Sequence, residues 1–207
     1  MCSGCTIEYH DQKGGRSGTD GNTFYFDDGS FDAKGYVDEI WDEELLPYAL
    51  ENNTDISAVI EELFKDVDSA GSLYGYRSVD QGGAWNFIVS GAGKAVSVNT
   101  ESRNGLLDLD LPPYDGEADV KLQIGPVIRG TAIRDSMSFI KFDDFRNQID
   151  FSNLATELNK KAYETVLEPL SFKAGDEITF VGAFTFSAVD DISIVPVSLT
   201  LGSLEGN

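Results

Sequence analysis

The side chains best suited to binding a small molecule are concentrated in residues 124–151. Arginine, aspartate, asparagine and glutamine are interleaved there with Phe139, Phe142 and Phe145. Guanidinium and amide groups bind hydroxyls and carboxylates through paired hydrogen bonds, and aromatic rings pack against the C–H faces of sugars. The segment therefore predicts a site for a saccharide or a carboxylate. The candidate ligand-binding residues are Arg129, Arg134, Asp135, Asp144, Asn147, Gln148 and, at the start of a predicted strand, Trp85.

The same segment also has a structural interpretation. A long connection between strands must pair its buried backbone groups, and arginine–aspartate pairs and side-chain amides can do so. Structural ion pairs of this kind resemble binding sites in sequence. Both interpretations stay open from the sequence alone.

A second group of polar side chains consists of five carboxylates near a Pro-Pro turn: Asp108, Asp110, Asp115, Glu117 and Asp119. Asp115-Gly116 resembles part of a calcium loop, but Pro113 and Leu111 stand two and four residues earlier, where further ligands are required. The favoured interpretation is a hairpin turn with the acids on its solvent face. We therefore predict neither a bound metal nor a cofactor.

The composition argues against several classes of function. His10 is the only histidine, and the two cysteines lie within the first five residues. Residues 11–207 thus offer no Ser-His-Asp or Cys-His catalytic group and no zinc site built on His or Cys. We predict that the protein is not an enzyme. The net charge of −21 disfavours a nucleic-acid partner.

The first residues are typical of a bacterial lipoprotein signal. Ser3 and Gly4 are small residues that precede Cys5, the predicted site of lipidation. The charged and apolar parts of a signal peptide are missing, so we expect the printed sequence to begin late within that signal. A redox pair or half of a metal site formed by Cys2 and Cys5 is the alternative, as are two incidental cysteines.

Residues 6–30 are rich in glycine and predict a flexible tether between the lipid and the folded body. The lipid would be the only contact with the membrane. The predicted location is the periplasm or the cell surface.

The folded body is predicted to be α+β. Apolar residues at three- and four-residue spacing predict a small helical subdomain over 31–80, in which Pro47 kinks or ends the first helix. Two-residue alternation predicts about six strands over 81–204, including a hairpin that turns at residues 91–93. One helix, about 152–168, interrupts the strands. This order predicts an OB-like antiparallel β-barrel with one interposed helix.

Three stretches carry a resemblance to a known family: "YVDEIWDEELLP", "IGPVIRGTAIRDSMSFIKFDDFRNQIDF" and the closing "GAFTF" with "VPVSLTL". They resemble the bacterial predicted periplasmic lipoproteins called domain of unknown function 2291, over about residues 31–201. The resemblance implies a lipid anchor, a helical subdomain and an OB-like domain. It also implies genes that accompany sugar ABC transporters. It implies no catalytic residue.

Three functional hypotheses follow. The first is a binding or accessory module for sugar ABC transport, whose partner is a transporter component, its binding protein or a saccharide. It predicts a pocket bordered by Arg129, Arg134 and Asn147. The second is a carboxylate-based saccharide hydrolase, which needs two carboxyls about 5 to 9 Å apart across a cleft. The third is a protein-only adaptor, which needs an exposed apolar patch, expected around Trp41 and Tyr48.

Overall fold

Five strands form the centre of the fold in the computed structural model, which describes residues 24–26, 29–77 and 83–202. The strands are β3 (Asn86–Asn99), β4 (Leu106–Asp110), β5 (Val120–Gln123), β6 (Glu177–Thr185) and β7 (Ser193–Leu201). β3 pairs with both β4 and β6, and the pairing continues from β4 to β5, from β5 to β7 and from β7 back to β6. The five strands therefore form a ring. The β5–β7 pairing is parallel, so the sheet is mixed where the sequence predicted antiparallel pairing throughout.

The longest strand, β3, corrects the predicted hairpin at residues 91–93. A Cβ on Gly91 would lie 2.7 Å from Ile56, and a Cβ on Gly93 would lie 2.6 Å from the carbonyl oxygen of Asp110. These glycines let neighbouring atoms approach the strand closely rather than reverse the chain. β3 can then pair with β6 through its first part and with β4 through its last part.

The alternating leucines of β4 are buried, as the pattern predicts. Leu107 and Leu109 are fully buried inside the ring. Asp110 departs from the predicted solvent-facing row because it is only 3% exposed. Its carboxylate accepts a hydrogen bond of 2.8 Å from the backbone N–H of Gly116, so it holds the following turn in place.

A helix that contains one π-helical turn covers residues 33–51. It comprises α1 (Ala33–Ile40), the π-helical turn (Trp41–Leu45) and α2 (Leu46–Glu51). Pro47 lies in the first turn of α2, directly after the π-helical turn, and the helix continues past it. A proline inside a helix removes one backbone N–H donor and crowds the preceding turn, and the π-helical turn just before Pro47 is where the regular hydrogen-bond pattern changes.

The remaining helices surround the ring. Asp55 and Asp66 cap α3 and α4 through backbone N–H groups, and Asn147 caps α6. That cap starts the interposed helix four residues before the predicted position, between β5 and β6. The remaining elements are β1 (Thr54–Asp55), α3 (Ile56–Lys65), α4 (Val67–Tyr74), β2 (Gly75–Tyr76), α5 (Ala132–Ser136), a 3-10 turn (Phe142–Asp144), α6 (Gln148–Ala162) and a π-helical turn (Tyr163–Leu167).

Two clusters of buried apolar side chains join the helices to the five-stranded ring. The first fills the ring and includes the buried face of α3 and Ala70 of α4. The second joins α1, α2, α5 and α6 to residues of β6 and β7, among them Ala183 and Val195. The helices of residues 31–80 therefore pack into two different parts of the core.

Residues 24–26 and 29–31 form a short N-terminal clasp, although residues up to 30 fell within the predicted tether. The Tyr25 hydroxyl donates to Asp150 Oδ2 at 3.1 Å and accepts from the Arg146 backbone N–H at 3.0 Å. The Arg146 guanidinium lies 3.8 Å from the Tyr25 ring centroid. The clasp thus fixes the start of the folded body to the N-terminus of α6.

Tyr36 packs beneath this clasp, and its titration gives a first prediction. Burial, followed by the nearby Asp144 carboxylate, raises the pKa of Tyr36 from 10.0 to about 12. A phenol whose pKa is raised by folding stabilises the protein fully below pH 10, and this contribution falls as pH rises toward 12.

Between pH 8 and pH 11, we expect the free energy of unfolding of the wild type to fall by about 1 kcal/mol more than that of Tyr36→Phe, which has no phenol to ionise. Urea unfolding at the two pH values measures the difference. Equal losses in the two proteins would show that Tyr36 ionises as freely in the folded protein as in the unfolded chain.

Candidate functional site

A cleft of about 360 Å³ opens on the ring where β4, β5 and β7 meet two loops, 100–105 and 186–192. Polar side chains from the strands and from both loops surround it, together with the loop that leads into α5. The lining residues are Asn104, Leu106, Lys121, Gln123, Arg129, Gly130, Thr131, Ala132, Thr185, Ser187, Asp191 and Ser193.

One side of the cleft depends on close contact between two backbones. The N–H groups of Ile124 and Gly125 donate to the Gly105 carbonyl oxygen at 2.9 and 3.2 Å, and the Val127 N–H donates to the Arg103 carbonyl oxygen at 3.0 Å. A Cβ on Gly125 would lie 2.1 Å from the Gly105 nitrogen. Glycine at 125 is therefore required for the two segments to meet.

Arg129 lines the cleft, and hydrogen bonds with Gln123 hold its backbone in place. Its N–H donates to Gln123 Oε1 at 2.7 Å, and Gln123 Nε2 donates back to the Arg129 carbonyl oxygen at 3.3 Å. Gly130 follows with a φ of +84°, a conformation that favours glycine. The Arg129 side chain is exposed and makes no hydrogen bond or ion pair with the part of the chain that the structure describes.

An ion pair joins β5 to the loop on the opposite side. Lys121 Nζ lies 2.8 Å from Asp191 Oδ1. The hydrogen bond from the ammonium to this carboxylate raises the pKa of Lys121, so the lysine stays protonated at neutral pH. Both side chains remain partly exposed, and the pair leaves the ammonium able to make further hydrogen bonds.

The uncharged part of the lining supplies hydroxyl and amide groups. Thr185 Oγ1 donates to Asn86 Oδ1 at 2.6 Å. Asn104 Oδ1 is buried and has no hydrogen-bond partner among the described residues. Asp191 is the one carboxylate in the lining of this cleft, whereas the hydrolase hypothesis needs two facing carboxyls.

Of the seven ligand-binding candidates from the sequence, only Arg129 lines the cleft. Arg134 is 8% exposed, and its Nη2 lies 2.7 Å from Asp135 Oδ1. Its Nη1 donates to the Phe151 carbonyl oxygen at 2.8 Å, and the guanidinium lies 3.7 Å from the Phe151 ring centroid. These contacts connect α5 to α6, as the structural interpretation expects.

Three of the other four candidates lie at the start of α6 or in the turn just before it. Asn147 Oδ1 accepts from the N–H groups of Ile149 and Asp150 at the start of α6. Asp144 accepts from the Lys141 N–H at 3.3 Å. Gln148 is an exposed first residue of α6.

Trp85 packs against α4 and does not line the cleft. Its Nε1 donates to Asp68 Oδ1 at 3.0 Å, and the Arg77 guanidinium lies 3.9 Å from its ring centroid. The ring occupies the space that a side chain at Gly71 would need.

The phenylalanines of residues 124–151 pack away from the cleft lining. Phe145 meets Phe31 and Tyr36 with centroid distances of 5.4 and 5.7 Å. Phe139 packs on Tyr48 at 5.4 Å. The aromatic part of the segment therefore supports the N-terminal clasp and α2.

Three of the five carboxylates near the Pro-Pro turn accept hydrogen bonds from backbone N–H groups of that turn. Asp119 Oδ2 accepts from the Leu111 N–H at 2.7 Å, and Asp115 Oδ1 accepts from the Glu117 N–H at 2.9 Å. Asp108 Oδ2 accepts from the Ser97 hydroxyl at 2.6 Å. Among the described residues, no three His, Cys, Asp or Glu side chains are grouped closely enough to hold a metal ion.

The lining residues that sequence reasoning missed come from strands and loops distant in sequence. Lys121 and Gln123 alternate with buried Val120 and Leu122, so their outward direction could be read from the pattern. Their position beside Ser193 could not, because it depends on the parallel pairing of β5 with β7. The predicted lipidation site, Cys5, lies outside the described residues.

Two features define the class of protein. The first is a five-stranded ring with a helix between its third and fourth strands, and the second is a cleft between two of the loops. The chain is similar to a crystal structure of an OB-fold protein from Thermotoga maritima, with 23% identity and a TM-score of 0.68. The match covers 84% of this chain and 99% of the other. This likeness confirms the predicted OB-like fold.

The chain belongs to the family described as predicted periplasmic lipoprotein, domain of unknown function 2291, whose model matches residues 1–200. The resemblance found in the sequence is therefore confirmed, and so is the predicted location of a periplasmic lipoprotein. None of the curated proteins compared with this chain matches it. No helix among the described residues has the length and apolar character needed to cross a membrane.

Proposed function

We propose that this periplasmic lipoprotein is a binding or accessory module for sugar ABC transport, and that it holds a saccharide in the cleft. The position of the cleft is the observation that supports this most. OB folds bind oligosaccharides and oligonucleotides on the face of their second and third strands, between the loops after the first and fourth strands. The corresponding parts here are β4 and β5 with loops 100–105 and 186–192.

The chemistry of the lining favours a sugar over a nucleic acid. Hydroxyl and amide groups from Gln123, Thr131, Ser187 and Ser193 are present to bind ligand hydroxyls. The chain carries a net charge of −21, which repels a polyanion. A short saccharide lacks the row of phosphates that this net charge repels.

A lipid at Cys5 would hold the cleft close to a membrane transporter. Tethering converts a second contact into an intramolecular one, so a weak affinity for the saccharide and for a transporter component, or its binding protein, is sufficient. No catalytic step is part of the proposal. Residues 11–207 contain neither His nor Cys, and Asp191 has no second carboxyl beside it in the cleft lining.

A protein-only adaptor is the second candidate, and exposed side chains on α3 and α4 favour it. Phe64 is 69% exposed and Leu73 is 62% exposed, and Tyr74 beside Leu73 is also exposed. The patch expected around Trp41 and Tyr48 is absent because Trp41 is only 2% exposed and the Tyr48 hydroxyl lies 2.7 Å from Ser138 Oγ.

Thermal unfolding in the presence of a saccharide panel tests the proposal. A ligand at 100 times its Kd adds about 2.7 kcal/mol of stability, which raises the Tm of a protein of this size by roughly 5 to 10 °C. We expect at least one saccharide to produce such a rise.

Co-purification from native membranes provides the comparison with the adaptor hypothesis. If no saccharide raises the Tm, and a protein partner is retained by the wild type but lost by Phe64→Ser, the adaptor is the correct function. Under our proposal, Phe64→Ser leaves the saccharide-induced rise unchanged.

A further inference from the structure

We infer that the ligand of the cleft is an anionic saccharide, in which a carboxylate or phosphate is carried on a hydroxylated ring. The inference rests on the proposed function and names the class of ligand for the same site. Its basis is the distribution of charge and of unpaired arginines around the cleft.

The charge balance in the cleft lining differs from that of the whole chain. Acidic residues outnumber basic ones by 36 to 15 in the sequence. The cleft lining instead contains two cations, Lys121 and Arg129, and one carboxylate, Asp191. Asp191 pairs with Lys121, and Asp108 and Asp190 also act on that lysine. The lining cation that is left to attract an anion is therefore Arg129.

The arginines of the described residues divide into two groups. Arg77 stacks on Trp85, Arg134 pairs with Asp135, and Arg146 stacks on Tyr25. Arg103 and Arg129 have exposed side chains, for which the structure shows no partner in the ranges that it describes.

Both of these arginines belong to the segments that form one side of the cleft. Arg129 lines it, and Arg103 directly precedes the lining residue Asn104. The hydrogen bond from the Val127 N–H to the Arg103 carbonyl oxygen holds the two segments side by side. Arg129 thus lines the cleft itself, and Arg103 belongs to the neighbouring loop whose Asn104 lines it.

A guanidinium presents its N–H groups as a planar fork that binds a carboxylate or phosphate through two parallel hydrogen bonds. The hydroxyls of a neutral sugar can also accept from this fork, but hydrogen bonds to a charged acceptor are roughly twice as strong. The ring hydroxyls of an anionic sugar would be bound by Ser187 and Ser193, whose hydroxyls form no hydrogen bond with the residues described. The guanidinium thus matches the carboxylate or phosphate of such a ligand, and the serine hydroxyls match its ring hydroxyls.

Isothermal titration of the full chain with glucuronate, glucose 6-phosphate and glucose tests the inference. We expect at least one of the two anions to bind at least about tenfold more tightly than glucose, and the sugar acid and the sugar phosphate are told apart by their separate titrations. The affinity for that anion should fall in high salt, because the cleft is open to solvent.

Two variants locate the charge that is responsible. Arg129→Gln should reduce the affinity for the anion at least about tenfold, and by a larger factor than it reduces any affinity for glucose. Lys173→Gln serves as the matched control, because Lys173 is an exposed cation that lies outside the cleft lining. It should leave both affinities unchanged.

The possible failures are distinguishable. Glucose binding as tightly as both anions, with Arg129→Gln without effect, would overturn the inference and leave the proposed saccharide function intact. No binding of these probes, together with a Tm that no saccharide raises, would overturn both.

Discussion

Gly125→Ala is expected to lower the free energy of unfolding by at least about 3 kcal/mol and to abolish saccharide binding. The new Cβ would lie 2.1 Å from the Gly105 nitrogen and 2.4 Å from the Arg103 carbonyl oxygen. Both are backbone atoms, so no side-chain rotation relieves the overlap. The two segments must separate, and their hydrogen bonds at the side of the cleft are lost.

Urea unfolding measures this effect, and Gly202→Ala is its control. A Cβ on Gly202 meets no atom within 4 Å, so that substitution should change stability by less than about 0.5 kcal/mol. A loss below about 1 kcal/mol for Gly125→Ala would mean that the contact between the two segments is not needed for the fold.

Arg134→Met is expected to destabilise the protein by about 3 kcal/mol, because removing one partner of a largely buried ion pair leaves Asp135 with only its hydrogen bond from Thr131. Arg134 also loses its hydrogen bond to the Phe151 carbonyl oxygen and its stacking on the Phe151 ring. Arg134→Lys should recover only part of this loss, since an ammonium cannot reproduce the planar contacts.

Arg129→Met is the matched variant for this experiment. Its side chain is exposed, so its stability should remain within about 0.5 kcal/mol of the wild type, while binding of an anionic sugar is lost. If Arg134→Met kept full stability but lost the ligand, Arg134 would belong to the binding site after all.

The sequence predicted most elements of the fold because their patterns are local. Alternating leucines identified β4, and the spacing of Ile56, Val59 and Leu63 identified α3, which is buried as expected. The errors arose where tertiary contacts override local signals. Gly91 and Gly93 are typical of a turn, yet the neighbouring atoms that need the space of their missing side chains come from elsewhere in the chain.

The candidate site was harder to predict for the same physical reason. Residues 124–151 combine polar and aromatic groups, but the fold divides them. Arg129 lines the cleft, whereas Arg134 and Asn147 stabilise helices. Asp135 directly follows Arg134 in the sequence, but Phe151, which stacks on the Arg134 guanidinium, is brought near only by the fold.

The most direct test of the account is to map the ligand by NMR chemical-shift changes on addition of the saccharide that raises the Tm most. We predict that the largest changes fall on Asn104, Lys121, Arg129, Ser187 and their neighbours. Changes confined to the groove beside α6, around Ala155 and Lys160, or to the exposed face of α3 and α4, would contradict the assignment of the cleft as the binding site.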